Sequence, residues 1–230
     1  MNIFQEDIKV YTLDDISQSD ASKEICKLID TTLSRNDEFL SLHKKNSYKM
    51  YTFNSFYPVE KEKIYKKDNI YTFQLRTIDS KLANYLLNEL HKSYTKSLKC
   101  IKVDIKEIKK HHIDRLYSIT PVVIKNDFGY WKGNMNIDEY ANRLKVNLIK
   151  KYNEFYGENI NEDFPLFNSI EFNNKKPIAT NYKEIKILGD KLTLNVSDDE
   201  LSQKIAYMSI GVGIGEINSR GFGFLNYRWL

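Results

Sequence analysis

A chain of 230 residues that is 41% hydrophobic holds enough apolar surface for one large domain or two small ones, and its four prolines exclude a proline-rich linker. Its net charge of +4 is mildly basic, which is compatible with a nucleic-acid partner without specifying one. No run approaches a membrane span, acidic residues interrupt the start where a signal peptide would be apolar, and Cys26 and Cys100 lie far apart without metal-site spacing, so a cytoplasmic protein with buried thiols and no bound metal or cofactor is expected.

Residues 7–13 (DIKVYTL) read as a strand. Over 19–33, Ala21, Ile25, Leu28, Ile29 and Leu33 recur at helical spacing, with Ser19 or Asp20 at the cap. A short helical piece ends near Leu42 and His43, and SYKMYTFNSF (47–56) has the Tyr, Thr and Phe content of a strand. A strand or hairpin arm spans 63–76, with Asp68-Asn69 as its turn. A helix over 80–91, capped by Ser80, carries Leu82, Leu86, Leu87 and Leu90 on one side, and a strand at 98–109 closes the unit. This β-α-β-β-α-β order is the ferredoxin-like pattern, in which helices cover one face of the sheet and the other stays open to a partner.

A connector containing LYSITPVVI (116–124) leads to a second half. Asn136 caps a helix to about Tyr156, striped by Ile137, Tyr140, Ala141, Leu144 and Leu148. Strands are expected at 165–173 and 183–196. Ser197 and Glu200 have capping-box spacing for the helix SDDELSQKIAYM, and GFGFLNYRW ends as a strand. The fold class is α+β with tandem ferredoxin-like (RRM-like) domains over 1–115 and 116–230, the second trimmed or rearranged.

Five of the nine glycines, Gly211, Gly213, Gly215, Gly221 and Gly223, fall in the tail SIGVGIGEINSRGFGFLNYRWL. Such clustering marks a backbone that needs positive φ or close approach by something else. Exposed amides beside Arg220 suit a phosphate backbone, while a tight ligand-free turn before a last strand accounts for the same glycines. Ser209, Asn218, Ser219 and Arg220 are candidate phosphate or sugar contacts, Arg220 foremost because its fork holds phosphate bidentately. Lys44, Lys45, Tyr48, Lys49 and Tyr51 interleave cations with aromatics, the mixture that grips single-stranded nucleic acid. Strand alternation would put Lys49 and Tyr51 on one face. The basic clusters elsewhere, 143–151 among them, read as solvated faces. His43 on its own needs no more than a helix end, where its charge meets the dipole.

The tail motif, the segment LHKKNSYKMYTFNSF (42–56) and the tandem element order together resemble the CRISPR-associated repeat-processing endoribonucleases, the Cas-six family of the RAMP superfamily, over essentially the whole chain. The resemblance implies two ferredoxin-like domains side by side and metal-free cleavage of CRISPR precursor RNA. The ribose 2′-hydroxyl attacks the adjacent phosphate and leaves 2′,3′-cyclic phosphate and 5′-hydroxyl ends. It further implies His43 as the catalytic residue, with Lys49 and Tyr51 assisting. Lys44, Lys45, Ser209, Asn218, Ser219, Arg220 and the tail glycines would contact RNA. Repeat RNA and a Cascade-type effector complex are the implied partners, with monomer and homodimer both open. Imidazole suits the chemistry because its pKa lies near neutrality, and a fixed lysine stabilises the phosphorane oxygens. The tail motif fits a non-catalytic RNA-binding subunit of a guide-RNA complex equally well, and the His43 segment is what favours the nuclease. The tyrosine that family members often carry in the first long helix has no counterpart in 19–33.

Overall fold

The computed structural model describes residues 1–45, 47–182 and 185–230, leaving the side chains of Leu42, His43 and Lys44 outside the description. The first unit runs β1 (Ile3–Thr12), β2 (Ile16–Ser17), α1 (Ala21–Leu33), α2 (Asp37–Lys44), β3 (Tyr51–Phe53), β4 (Ile64–Tyr65), β5 (Ile70–Thr77), α3 (Ser80–Glu89) and β6 (Leu98–Ile108). The second runs β7 (Ile113–Ser118), α4 (Ile137–Tyr156), β8 (Phe167–Phe172), β9 (Ile178–Tyr182), β10 (Ile185–Gly189), β11 (Leu192–Val196), α5 (Glu200–Val212) and β12 (Leu225–Trp229).

The two main sheets are antiparallel, with orders β3-β5-β1-β6 and β12-β7-β11-β8. Numbering the strands of each unit one to four, both read 2-3-1-4 or its reverse, so each is a full ferredoxin-like sheet. The second unit is therefore not trimmed. It carries an added hairpin, β9–β10, between its second and third strands. The strand expected over 183–196 divides between that hairpin and β11, with residues 183 and 184 outside the description. β7 runs through residues 115 and 116 and pairs only within the second sheet.

Helix starts follow short polar caps, though not always the expected ones. Asn136 caps α4 in a reciprocal box with Glu139. Asp79, rather than Ser80, caps α3, accepting from the amides of Lys81 and Leu82. Asp199 caps α5, because the Ser197 hydroxyl is spent donating to Asn168 Oδ1. Asp20 occupies the α1 cap position, but its carboxylate accepts from Ser17 Oγ and Asn181 Nδ2 instead of the helix amides.

Each unit has its own core. Ile8, Val10, Ile25, Leu28, Phe53, Phe73 and Leu86 pack between the first sheet and its helices. Leu116, Leu144, Leu148, Leu192, Leu194 and Ile205 do so in the second, and Ile3 and Ile78 from the first unit join this second core. Two features lock the units together. A Cβ on Gly211 would lie 2.7 Å from Ile78 Cγ2, so glycine lets α5 lie directly on the first unit. Arg76 is buried on β5 and donates to Gln5 Oε1, to the Leu225 carbonyl and to Asn226 Oδ1, with its guanidinium 4.3 Å from the Phe224 ring centroid. No described helix is long and apolar enough to cross a membrane.

Candidate functional site

A cleft of about 730 Å³ opens between the units. One wall is the segment Lys45–Tyr51 that leaves α2, the facing wall is the loop Gly215–Ser219 that follows α5, and the floor is α4. Arg143, Asn147, Lys150 and Glu154 reach the cleft together because residues three and four apart share a helix face. Lys45, Lys49, Lys125, Arg143, Lys150 and Lys151 line the opening against two acids, Glu154 and Glu216. A concave surface with this excess of cations concentrates polyanions. No three His, Cys, Asp or Glu side chains cluster as a metal site among the described residues.

The first wall is held by a bond to α4 and a bond within itself. The Tyr48 amide donates to Glu154 Oε1 at 3.0 Å, pinning the segment to α4, and Lys49 Nζ donates to the Lys45 carbonyl at 2.7 Å. Burial, acting first, holds the Lys49 ammonium below its ordinary pKa. The expected strand over 47–56 is reduced to Tyr51–Phe53, because Met50 takes a left-handed backbone (φ 45°) before pairing begins. Lys49 and Tyr51 therefore do not share a strand face. Tyr51 is 4% exposed and burial pushes its hydroxyl well above its ordinary range, so it packs into the wall and is not an exposed phosphate contact. His43 and Lys44 lie in the last turn of α2, with side chains outside the described residues. Lys45, immediately after them, is exposed at the cleft.

The facing wall corrects the picture of an open amide cradle. Amides on either side of it, and that of Glu216 within it, bond inside the protein: Gly213 to the Ser209 carbonyl, Ile214 to Gly223, Glu216 to Val123, Gly223 to Pro121, and Phe224 to Thr120 Oγ1. A Cβ on Gly223, whose φ is +66°, would lie 1.9 Å from the Ile214 carbonyl oxygen, and one on Gly221 would strike the Phe53 ring at 2.8 Å. Positive φ and close approach are both required there, and what approaches is protein. Ser209 is fully buried in α5 and donates to the Ala206 carbonyl. Gly211 and Gly213 are buried likewise. Gly215 and Ser219 remain at the cleft wall. Arg220, expected to be the chief phosphate contact, places Nη1 2.6 Å from Asp30 Oδ2 on α1 and does not line the cleft. Asn218 is 7% exposed and folded inward, its Nδ2 donating to the carbonyls of Ile214 (2.9 Å) and Phe222 (3.0 Å).

The contribution of α4 escaped the sequence reading. The 143–151 cluster was visible as charge, but only the fold shows that its polar stripe faces the tail loop. Lys151 is the extreme case: it is 3% exposed, donates to Gly213 O, Gly215 O and Asn218 Oδ1, and is brought down to about 7 by burial.

A family model described as CRISPR associated protein Cas6, C-terminal, matches residues 101–227. A CRISPR-associated endoribonuclease Cas6 of Methanocaldococcus jannaschii is 23% identical over 218 residues, covering 85% of this chain and 87% of its own. Among solved structures, a RAMP protein described as binding different RNA substrates superposes with a TM-score of 0.74 at 18% identity, covering 98% of this chain and 99% of its own. The product of a Cas6-related gene from Pyrococcus furiosus does so with a TM-score of 0.71 at 18% identity, covering 98% of each chain.

Proposed function

Because the chain belongs to the Cas6 family of CRISPR-associated proteins, we propose that it is a metal-independent endoribonuclease that cuts CRISPR precursor RNA within its repeats. The observation that carries this reading is the cleft itself: the segment that begins just after α2 and the tail loop are its walls, and Lys45, Lys49, Lys125, Arg143 and Lys150 line it. Single-stranded RNA laid along the cleft has its phosphates met by Lys45, Lys49, Lys125, Arg143 and Lys150.

The chemistry follows from the groups at hand. Attack by a ribose 2′-hydroxyl on the adjacent phosphate needs a base to take its proton and an acid to protonate the departing 5′-oxygen. His43 fills one of these roles. Lys49, tethered to the Lys45 carbonyl, offers a fixed cation to the phosphorane oxygens. The products are a 2′,3′-cyclic phosphate and a 5′-hydroxyl. Of the residues singled out in the sequence, Lys45, Lys49 and Ser219 keep an RNA-facing role. Tyr51 becomes a positioning residue, and Arg220, Asn218 and the buried glycines shape the wall. We place the division between the units in the link 109–112, between β6 and β7.

The test is incubation with a synthetic RNA carrying one repeat from a CRISPR array of the same genome, in EDTA, with end-group analysis. The expected result is cleavage to a cyclic phosphate, slowed by about 10²–10⁴ in His43→Ala. Cleavage by His43→Ala at the wild-type rate overturns the mechanism. A tight complex that never yields cyclic phosphate assigns the chain to a non-catalytic RNA-binding subunit instead.

A further inference from the structure

Lys151 is placed where a lysine costs most. Its ammonium is buried on α4 and compensated by neutral acceptors of one loop, the carbonyls of Gly213 and Gly215 at 3.0 Å each and Asn218 Oδ1 at 2.6 Å. Removing an ammonium from water for neutral partners is unfavourable, and burial accordingly drives its pKa down to about 7. A methionine of similar volume would fill the space without that penalty. What the charge obtains is the shape of the loop. Asn218, gripped through Oδ1, passes the hold on through Nδ2 to the carbonyls of Ile214 and Phe222, closing the turn from inside. Gly215 to Ser219, the residues so fixed, are the wall of the cleft.

We propose that Lys151 is a positioning residue for RNA binding: its charged amine holds the loop 213–218 in the form that walls the cleft, so that RNA binding is coupled to retention of that proton. The inference rests on the reading of the cleft as the RNA site. A neutral amine has two protons for three acceptors, so one acceptor loses its partner and the turn loosens. Phosphates entering the cleft favour the charged form. The groups that face Lys151 are Glu216 from the loop and the Tyr48 ring, 5.9 Å away, from the opposite wall, with Lys49, Lys150 and Glu154 sharing the cleft. The sign follows: affinity is full below about 7 and declines as pH rises above it.

Binding of the single-repeat RNA is measured by fluorescence anisotropy in the His43→Ala background, which leaves the RNA intact and removes that imidazole from the titration. Between about pH 6.5 and 8.5 at fixed salt, Kd is expected to rise roughly tenfold. In His43→Ala/Lys151→Met it is expected to sit at the weak value throughout, with the thermal transition confirming a folded protein. The difference between the two pH profiles isolates Lys151 from the remaining histidines, and a purely structural lysine leaves those profiles parallel. Parallel profiles, or a flat profile in the His43→Ala protein, overturn the proposal. Should Lys151→Met not fold, Lys151→Gln is measured in the same way. If the His43→Ala protein does not bind the RNA at any pH, the reading of the cleft fails first, which is a distinct outcome.

Discussion

The loop 213–224 and the segment 45–51 face each other across one cleft, yet they spend their polar groups differently. Most of the loop's amides and the Asn218 side chain bond inside the protein, and Gly221 and Gly223 press against a ring and a carbonyl. The segment leaves Lys45 exposed and Tyr48 and Lys49 half-buried, anchored at a distance through Glu154 and Thr77 and tethered locally between its own lysines. Glycine density in this chain therefore marks a wall that must not move, while the cationic chemistry sits on the opposing segment and on α4. Substitutions in the loop should read out as stability, and those in the segment as RNA contact.

The largest effect on folding is expected at Gly223. A valine there needs positive φ and collides with the Ile214 carbonyl, so Gly223→Val should lower unfolding free energy by about 3 kcal/mol or more, measured by urea denaturation. The matched control is Gly157→Ala at the end of α4, where φ is +67° but a Cβ meets nothing within 4 Å. That change should cost about 1 kcal/mol. Equal losses at the two positions would show that the loop is not held by its surroundings.

Arg220 comes next. Its pairing with the partly buried Asp30 ties the loop to α1, and Arg220→Ala should destabilise by about 2 kcal/mol. A double-mutant cycle with Asp30→Asn should show strong coupling. An Arg220 that instead holds phosphate would show little coupling and a shallower salt dependence of RNA binding.

Much of this architecture was legible in the sequence, and the failures have common causes. The tandem element order emerged from periodicity because α1, α3 and α4 carry clear apolar stripes and β5 and β6 are long. The completeness of the second sheet did not, because its first strand, β7, lies across residues 113–118 and runs into the stretch 116–124 that reads as a connector, while the β9–β10 hairpin merges by pattern with β11. Met50 breaks the 47–56 strand through a left-handed backbone that a non-glycine residue seldom signals. Most instructive are the tail and α4. Ser209, Gly211 and Gly213 read as ligand-facing, since a local pattern cannot tell whether a close neighbour is RNA or protein. Lys151 sits in a charge run whose ordinary meaning is solvent, and nothing short of the packing of α4 on the tail loop reverses that meaning.

The smallest stability effect sharpens the contrast most. Lys45 is exposed at the cleft rim, and its side chain can be truncated without opening a cavity. Lys45→Ala should therefore leave unfolding free energy within about 0.5 kcal/mol of wild type. If its ammonium neutralises one phosphate, that contact's counterion release disappears, and the slope of log affinity against log salt becomes shallower by about 0.7 for single-stranded RNA. Gly223→Val should do the reverse at permissive temperature, losing stability while the remaining folded fraction keeps its salt slope. A Lys45→Ala protein that melts early with an unchanged slope would exchange the roles assigned to the two walls.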